Sequence, residues 1–132
     1  MTRLLLDTHL LLWAAEESPA LPDAVRLLLE DPDQILLFSA ASIWEVAIKC
    51  RLGKPDFTIE PAVLRRGLID AGYGELPVDG SHAALVRHLP DIHKDPFDRI
   101  LVAQAMQDDV TLVTADRTVA QYSPAIRFHP AA

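Results

Sequence analysis

The sequence predicts an α/β fold of three layers, with helices on both faces of a short, mainly parallel central sheet. Three observations point there. Short apolar runs of strand length alternate with longer segments of helical pattern along the whole chain. The runs are apolar without a polar alternation, as in strands covered on both faces. Ten prolines punctuate the segments rather than interrupting them. The 132 residues suit one domain spanning 1–132.

The elements follow in order. Residues 3–7 form an apolar run closed by an acid, read as the first buried strand. Residues 9–16 continue as helix through Leu10, Leu11 and Trp13. A second helix is expected over 22–30, with Pro22 in its first turn. Ile35–Phe38 is the next strand. Ser39 then stands where an N-cap belongs, before a helix that stops at Gly53. Residues 61–71 make a helix closed near Gly72, Glu75–Val78 a short strand, and 80–89 a helix ended by Pro90. Asp95 and Pro96 are a cap and first-turn pair opening a helix over 96–108. Val110–Thr114 is a strand, 117–122 a short helix, and Ile126–Phe128 a last edge strand.

Composition narrows the functional classes. Half the residues are hydrophobic, enough to bury a core and exclude intrinsic disorder. Cys50 is the only cysteine, which excludes a disulfide scaffold. The net charge of −7 excludes a general basic coat for nucleic acid. The apolar start, Leu4–Leu6, is broken at once by Asp7, and no run approaches a membrane span. A cytoplasmic location, with no membrane partner, is the expectation.

Four acids stand where acids are costly. Asp7 closes the first strand, and Asp116 lies two residues past the strand 110–114. In parallel α/β sheets the ligand crevice lies beyond those strand ends. Each of these acids is also an ordinary turn or cap residue type. Glu45 is the only charged residue between Ser39 and Ala47, on a helix apolar almost all round. A carboxylate there needs a partner or a metal. An i,i+4 pair with Lys49 is the competing explanation. Asp98, in the first turn of its helix, shares an apolar stripe with Val102 and Ala105, so it faces the protein. Asp95 has a sufficient duty as the cap.

Four converging carboxylates cannot all stay ionised without cations. Oxygen ligands without His or Cys pairs at metal spacing favour Mg²⁺, with Mn²⁺ as an alternative, over zinc. Such a site suits metal-assisted phosphodiester hydrolysis.

The stretches LLLDTHLLLW (4–13), SAASIWEVAIKCRLGK (39–54), HKDPFDRILVAQA (93–105) and LVTADRTVAQY (112–122) together resemble PIN-domain ribonucleases. More narrowly, they resemble VapC-type toxins of type II toxin–antitoxin pairs. The resemblance covers nearly the whole chain and implies a PIN-like three-layer domain. It assigns the catalytic acids and metal ligands to Asp7, Glu45, Asp98 and Asp116, with the first and third acids of the motif, Asp7 and Asp98, as the most direct ligands. Thr114 matches a supporting hydroxyl position. It also implies Mg²⁺- or Mn²⁺-dependent cleavage of RNA, a homodimer, and neutralisation by a cognate antitoxin.

Other residues admit two readings. Arg99 and Arg117 each follow a site acid and either hold RNA phosphates, brace the carboxylates or carry surface charge; for Arg99 surface charge is favoured. Lys49, Arg51, Lys54, Arg65 and Arg66 form the densest basic region, and a solvated helix face is favoured over an RNA path. Trp13 and Trp44 suit core or dimer packing better than base stacking. His9 either lines the crevice or packs. A PIN nuclease of RNA processing or decay, without an antitoxin, is the alternative function. A non-enzymatic module is disfavoured by four intact acids. A phospho-acceptor receiver is disfavoured because Leu6 and Thr8, not acids, flank Asp7.

Overall fold

The computed structural model describes residues 2–132. Its elements run β1 (Thr2–Leu6), α1 (Thr8–Ala15), α2 (Asp23–Glu30), β2 (Gln34–Ser39), α3 (Ala40–Arg51), α4 (Pro61–Asp70), β3 (Gly74–Leu76), α5 (Gly80–Leu85), α6 (Pro96–Asp108), β4 (Thr111–Thr114), α7 (Arg117–Ala120) and β5 (Arg127–Phe128). The five strands form one sheet, ordered β3-β2-β1-β4-β5, and every neighbouring pair is parallel. The expected α/β architecture is therefore present, with helices on both sides.

Strand alternation divides the core into two layers. Leu4 and Leu6 of β1, Phe38 of β2 and Val113 of β4 face one side, where they meet Leu10 and Leu11 of α1, Val46 of α3 and Leu64 of α4. Leu5, Leu37 and Leu112, the intervening residues, face the other side and meet Leu101 and Val102 of α6 and Val119 of α7. Side chains of period two thus serve two helical layers, so the strands read as unbroken apolar runs. Leu4, Leu5 and Phe38 have no exposed surface.

Helix ends follow the caps legible in the sequence. Ser39 accepts from the Ala41 amide at 3.0 Å, and Asp95 from the Phe97 amide at 2.8 Å. Gly53 takes a positive φ of 74° just past α3, the left-handed conformation that glycine adopts at least cost. The expected helix over 80–89 is shorter: α5 ends at Leu85 and a 3-10 turn covers Val86–His88. Four carbonyl oxygens from this turn and the loop beyond it, those of Val86, Leu89, Pro90 and His93, are used instead by the Arg99 guanidinium.

The chain winds from β1 through β2 to β3 on one side, then returns to add β4 and β5 on the other side of β1. The winding direction reverses between β1 and β4. Their carboxyl ends therefore flank a crevice that no connecting loop crosses, the position of ligand sites in open parallel sheets.

Candidate active site

Asp7 follows the last residue of β1 and is 6% exposed. Its Oδ1 caps α1 by accepting from the Leu10 amide at 2.9 Å. Its Oδ2 accepts from the Thr114 hydroxyl at 2.5 Å and the Ala115 amide at 3.2 Å, both at the end of β4. Burial raises its pKa above the ordinary carboxylate value, and these hydrogen bonds oppose the rise. Thr114 Oγ1 also accepts from the Asp116 amide at 3.0 Å, so one buried hydroxyl ties the two strand-end acids together.

Asp116 repeats the division of labour. Its Oδ1 caps α7 by accepting from the Thr118 amide at 2.8 Å. Its Oδ2 lies 3.2 Å from His93 Nε2, and the Asp98 Oδ2 lies at the same distance from that nitrogen. Asp98 is delivered by the first turn of α6, on the stripe that buries Val102. Burial, with the charges of Asp95, Glu45 and Asp7, pushes its carboxyl up to about 7 against the opposing His93.

Glu45 comes from α3 and is 2% exposed. Oε1 accepts from the Thr8 hydroxyl at 2.6 Å, and Oε2 from Lys49 Nζ at 2.5 Å. Thr8 also hydrogen-bonds the Ser42 hydroxyl. The i,i+4 partner is thus present, yet it lies inside the site. Lys49 is also 3.7 Å from Asp95.

His93 carries a role the sequence did not signal. Its Nδ1 accepts from the Asp95 amide at 3.1 Å. The neutral ring therefore carries its proton on Nε2, aimed at both carboxylates. Coordination through Nε2 would require the proton on Nδ1, where the Asp95 N–H already points. In this arrangement His93 hydrogen-bonds Asp116 and lies at ion-pair distance from Asp98. Its backbone is held by Tyr122: the His93 amide donates to the Tyr122 hydroxyl at 2.8 Å, and that hydroxyl meets the His93 carbonyl at 3.2 Å. The sequence offered it only as the first residue of the 93–105 stretch, without a role, since loop residues show no periodicity.

The remaining candidates sort themselves. Arg99 grips loop carbonyls and Tyr122, so it is neither free surface charge nor a carboxylate brace. Arg117 stacks on Phe128, 4.9 Å from the ring centre. His9 packs between Trp13 and Phe57. Trp13 packs on the core, whereas Trp44 is 63% exposed with its ring edge-on to Phe97.

The donor set fits a divalent cation. Asp98 and Asp116 each place a hard carboxylate oxygen within 4.8 Å of the other, and Thr114 ties Asp7 to the backbone of Asp116 beside them. The Asp98 carboxyl is raised first by burial and then by the charges of Asp95, Glu45 and Asp7, both of which a bound cation would offset.

The fold and site together define a parallel α/β domain with a cluster of carboxylates at its switch point. The PIN-domain family model matches residues 4–123, and the chain belongs to that family of nucleases. Sequence comparison with curated proteins gives no match. Among solved structures, the chain is similar to VapBC2 from Rickettsia felis bound to a DNA fragment from their promoter. That likeness has 12% identity and a TM-score of 0.70, over 99% of this chain and 100% of the other. It is similar to a toxin–antitoxin complex from Klebsiella pneumoniae, at 16% identity and a TM-score of 0.60, over 92% and 93% of the two chains. It is also similar to the PIN domain endonuclease Utp24, at 19% identity and a TM-score of 0.53, over 91% and 75%. These likenesses show the shared fold.

Proposed function

We propose that this chain is a Mg²⁺- or Mn²⁺-dependent endoribonuclease and the toxin of a type II toxin–antitoxin pair. The carrying observation is the convergence of Asp7, Asp98 and Asp116 at the β1/β4 switch point, with Asp98 pushed up to about 7. Asp7, Asp98 and Asp116 would hold the metal, Glu45 would complete the acidic site, and Thr114 would support it. When bound, the ion supplies Lewis-acid charge to the phosphodiester and a water of lowered pKa.

The chain's own residues prepare that chemistry. Three hydrogen bonds fix the Asp7 carboxylate, leaving it no rotational freedom to lose when a ligand arrives. His93 spaces Asp98 from Asp116. Lys49 and Thr8 hold the buried Glu45 carboxylate in place.

The toxin reading is supported by the toxin–antitoxin complex among the structural neighbours. A cognate antitoxin and a cytoplasmic setting belong to it. A homodimer is supported by the apolar groove of Trp44, Val78, Phe97 and Ile100. No helix among the described residues is long and apolar enough to cross a membrane. The likeness to Utp24 favours a second reading, a PIN nuclease working without an antitoxin.

Purified protein, freed of any antitoxin, is expected to cleave RNA with Mg²⁺ or Mn²⁺ and to stop in EDTA. Asp7→Asn should abolish cleavage with the fold intact. Activity that survives chelation, or an Asp7→Asn protein as fast as wild type, removes the metal mechanism. Growth arrest on expression, relieved by a neighbouring gene product, separates the toxin from the processing nuclease.

A further inference from the structure

Lys49 is not placed like a surface lysine. Its side chain is only 23% exposed, and the Glu45 carboxylate it meets is 3% exposed. The Phe57 and Phe97 ring centres lie 5.1 and 5.7 Å from its ammonium. The Glu45 carboxylate at 2.5 Å and that of Asp95 at 3.7 Å surround it with negative charge. The ammonium is therefore fixed, charged and held between aromatic faces.

Its donors are only partly used. An ammonium has three N–H groups. One reaches Glu45 Oε2 at 2.5 Å, while Asp95 at 3.7 Å is an ion pair beyond hydrogen-bond length. Each Glu45 oxygen already has a partner, Thr8 on Oε1 and the Lys49 ammonium on Oε2. Two-metal phosphodiesterases place ions roughly 3.5–4 Å apart on shared carboxylates. A second ion at Glu45 would have to expel the ammonium from between three acids.

We propose that Lys49 is the fixed second cation of this site: the chain binds one divalent ion, on Asp7, Asp98 and Asp116, and the Lys49 ammonium contacts a non-bridging phosphate oxygen of the RNA. This rests on the nuclease reading above. Glu45 is then the positioning residue that aims Lys49 at the substrate.

The test uses wild type, Lys49→Met and the charge-neutral pair Glu45→Gln/Lys49→Met. The double variant keeps side-chain volume, and its amide oxygen still accepts from Thr8, so it folds even where the single variant leaves Glu45 stranded. Calorimetric Mn²⁺ titration should give one ion per chain for wild type and for the double variant. Cleavage by the double variant should fall about a hundred-fold, the scale for losing one preorganised charge-stabilising donor. Binding of a fluorescent single-stranded RNA in Ca²⁺ should lose about 0.7 from the slope of log K against log salt, the share of one phosphate contact. A merely structural lysine would leave that slope unchanged. Two Mn²⁺ ions on wild type, an unaltered salt slope, or a double variant cleaving within threefold of wild type overturns the proposal. A wild-type protein that cleaves no RNA in Mn²⁺ instead removes the nuclease reading beneath it.

Discussion

Asp98 makes the metal-free protein sensitive to pH in a direction opposite to most acids. Its folded carboxyl lies at about 7 against 3.8 for an ordinary Asp. The folded state therefore holds a proton that the unfolded chain gives up at lower pH. The associated stability is full below about pH 4 and is lost as pH rises toward 7. The difference corresponds to about 4 kcal/mol as an upper bound, at ~1.4 kcal/mol per pH unit. Solvent screening at the partly open crevice reduces it, so about 2–3 kcal/mol is expected. Asp98→Asn removes the ionisation and keeps an oxygen that can accept from His93. In EDTA, the variant should match wild type near pH 4.5 and exceed it above pH 7. At roughly 4 °C per kcal/mol for a chain of this size, that is a rise of about 10 °C in Tm. Mg²⁺ should then raise the wild-type Tm at pH 7.5 and leave the variant unmoved. Melting curves across pH, with EDTA and with Mg²⁺, measure both effects. A variant less stable than wild type at pH 7.5 in EDTA, or a gap that ignores pH, would refute the electrostatic reasoning.

Two further perturbations probe the supports of the site. Thr114→Val removes the hydroxyl shared by Asp7 and the Asp116 amide; it should cost about 1–3 kcal/mol in urea unfolding and weaken Mn²⁺ binding about 10–100-fold by calorimetry. Arg99→Met frees the carbonyls of Val86, Leu89, Pro90 and His93, and amide hydrogen exchange should then quicken in 86–95 while α1 and β1 stay protected.

Local chemistry was legible where residue and neighbours in sequence decide the outcome. Ser39 and Asp95 read as caps and are caps. The continuous apolar runs read as doubly covered strands, and two core layers cover them. What depends on chain return was not legible. His93 sits in a loop, and its meaning comes from Asp98 five residues ahead and Asp116 on another element. Arg99 looked like surface charge because nothing in sequence says that a broken helix leaves carbonyls for it to collect. Trp44 sits in an apolar run, yet its ring is largely exposed.

Capping a helix does not exclude a role in the crevice for Asp7 and Asp116, the two readings the sequence posed. Each carboxylate divides its oxygens: Oδ1 accepts helix amides, while Oδ2 turns toward Thr114 or His93. The cap fixes the rotamer, and the fixed rotamer aims the second oxygen into the crevice. Substitution by Asn and by Ala should therefore separate the two duties. Asparagine caps about as well as aspartate, so Asp116→Asn should keep the stability of wild type while losing charge at the site. Asp116→Ala loses the cap as well and should fall lower by about 1 kcal/mol in urea unfolding. Mn²⁺ affinity should drop in both variants. If the two unfold alike, the amide contact at Thr118 contributes nothing, and the rotamer of Asp116 is set by His93 alone.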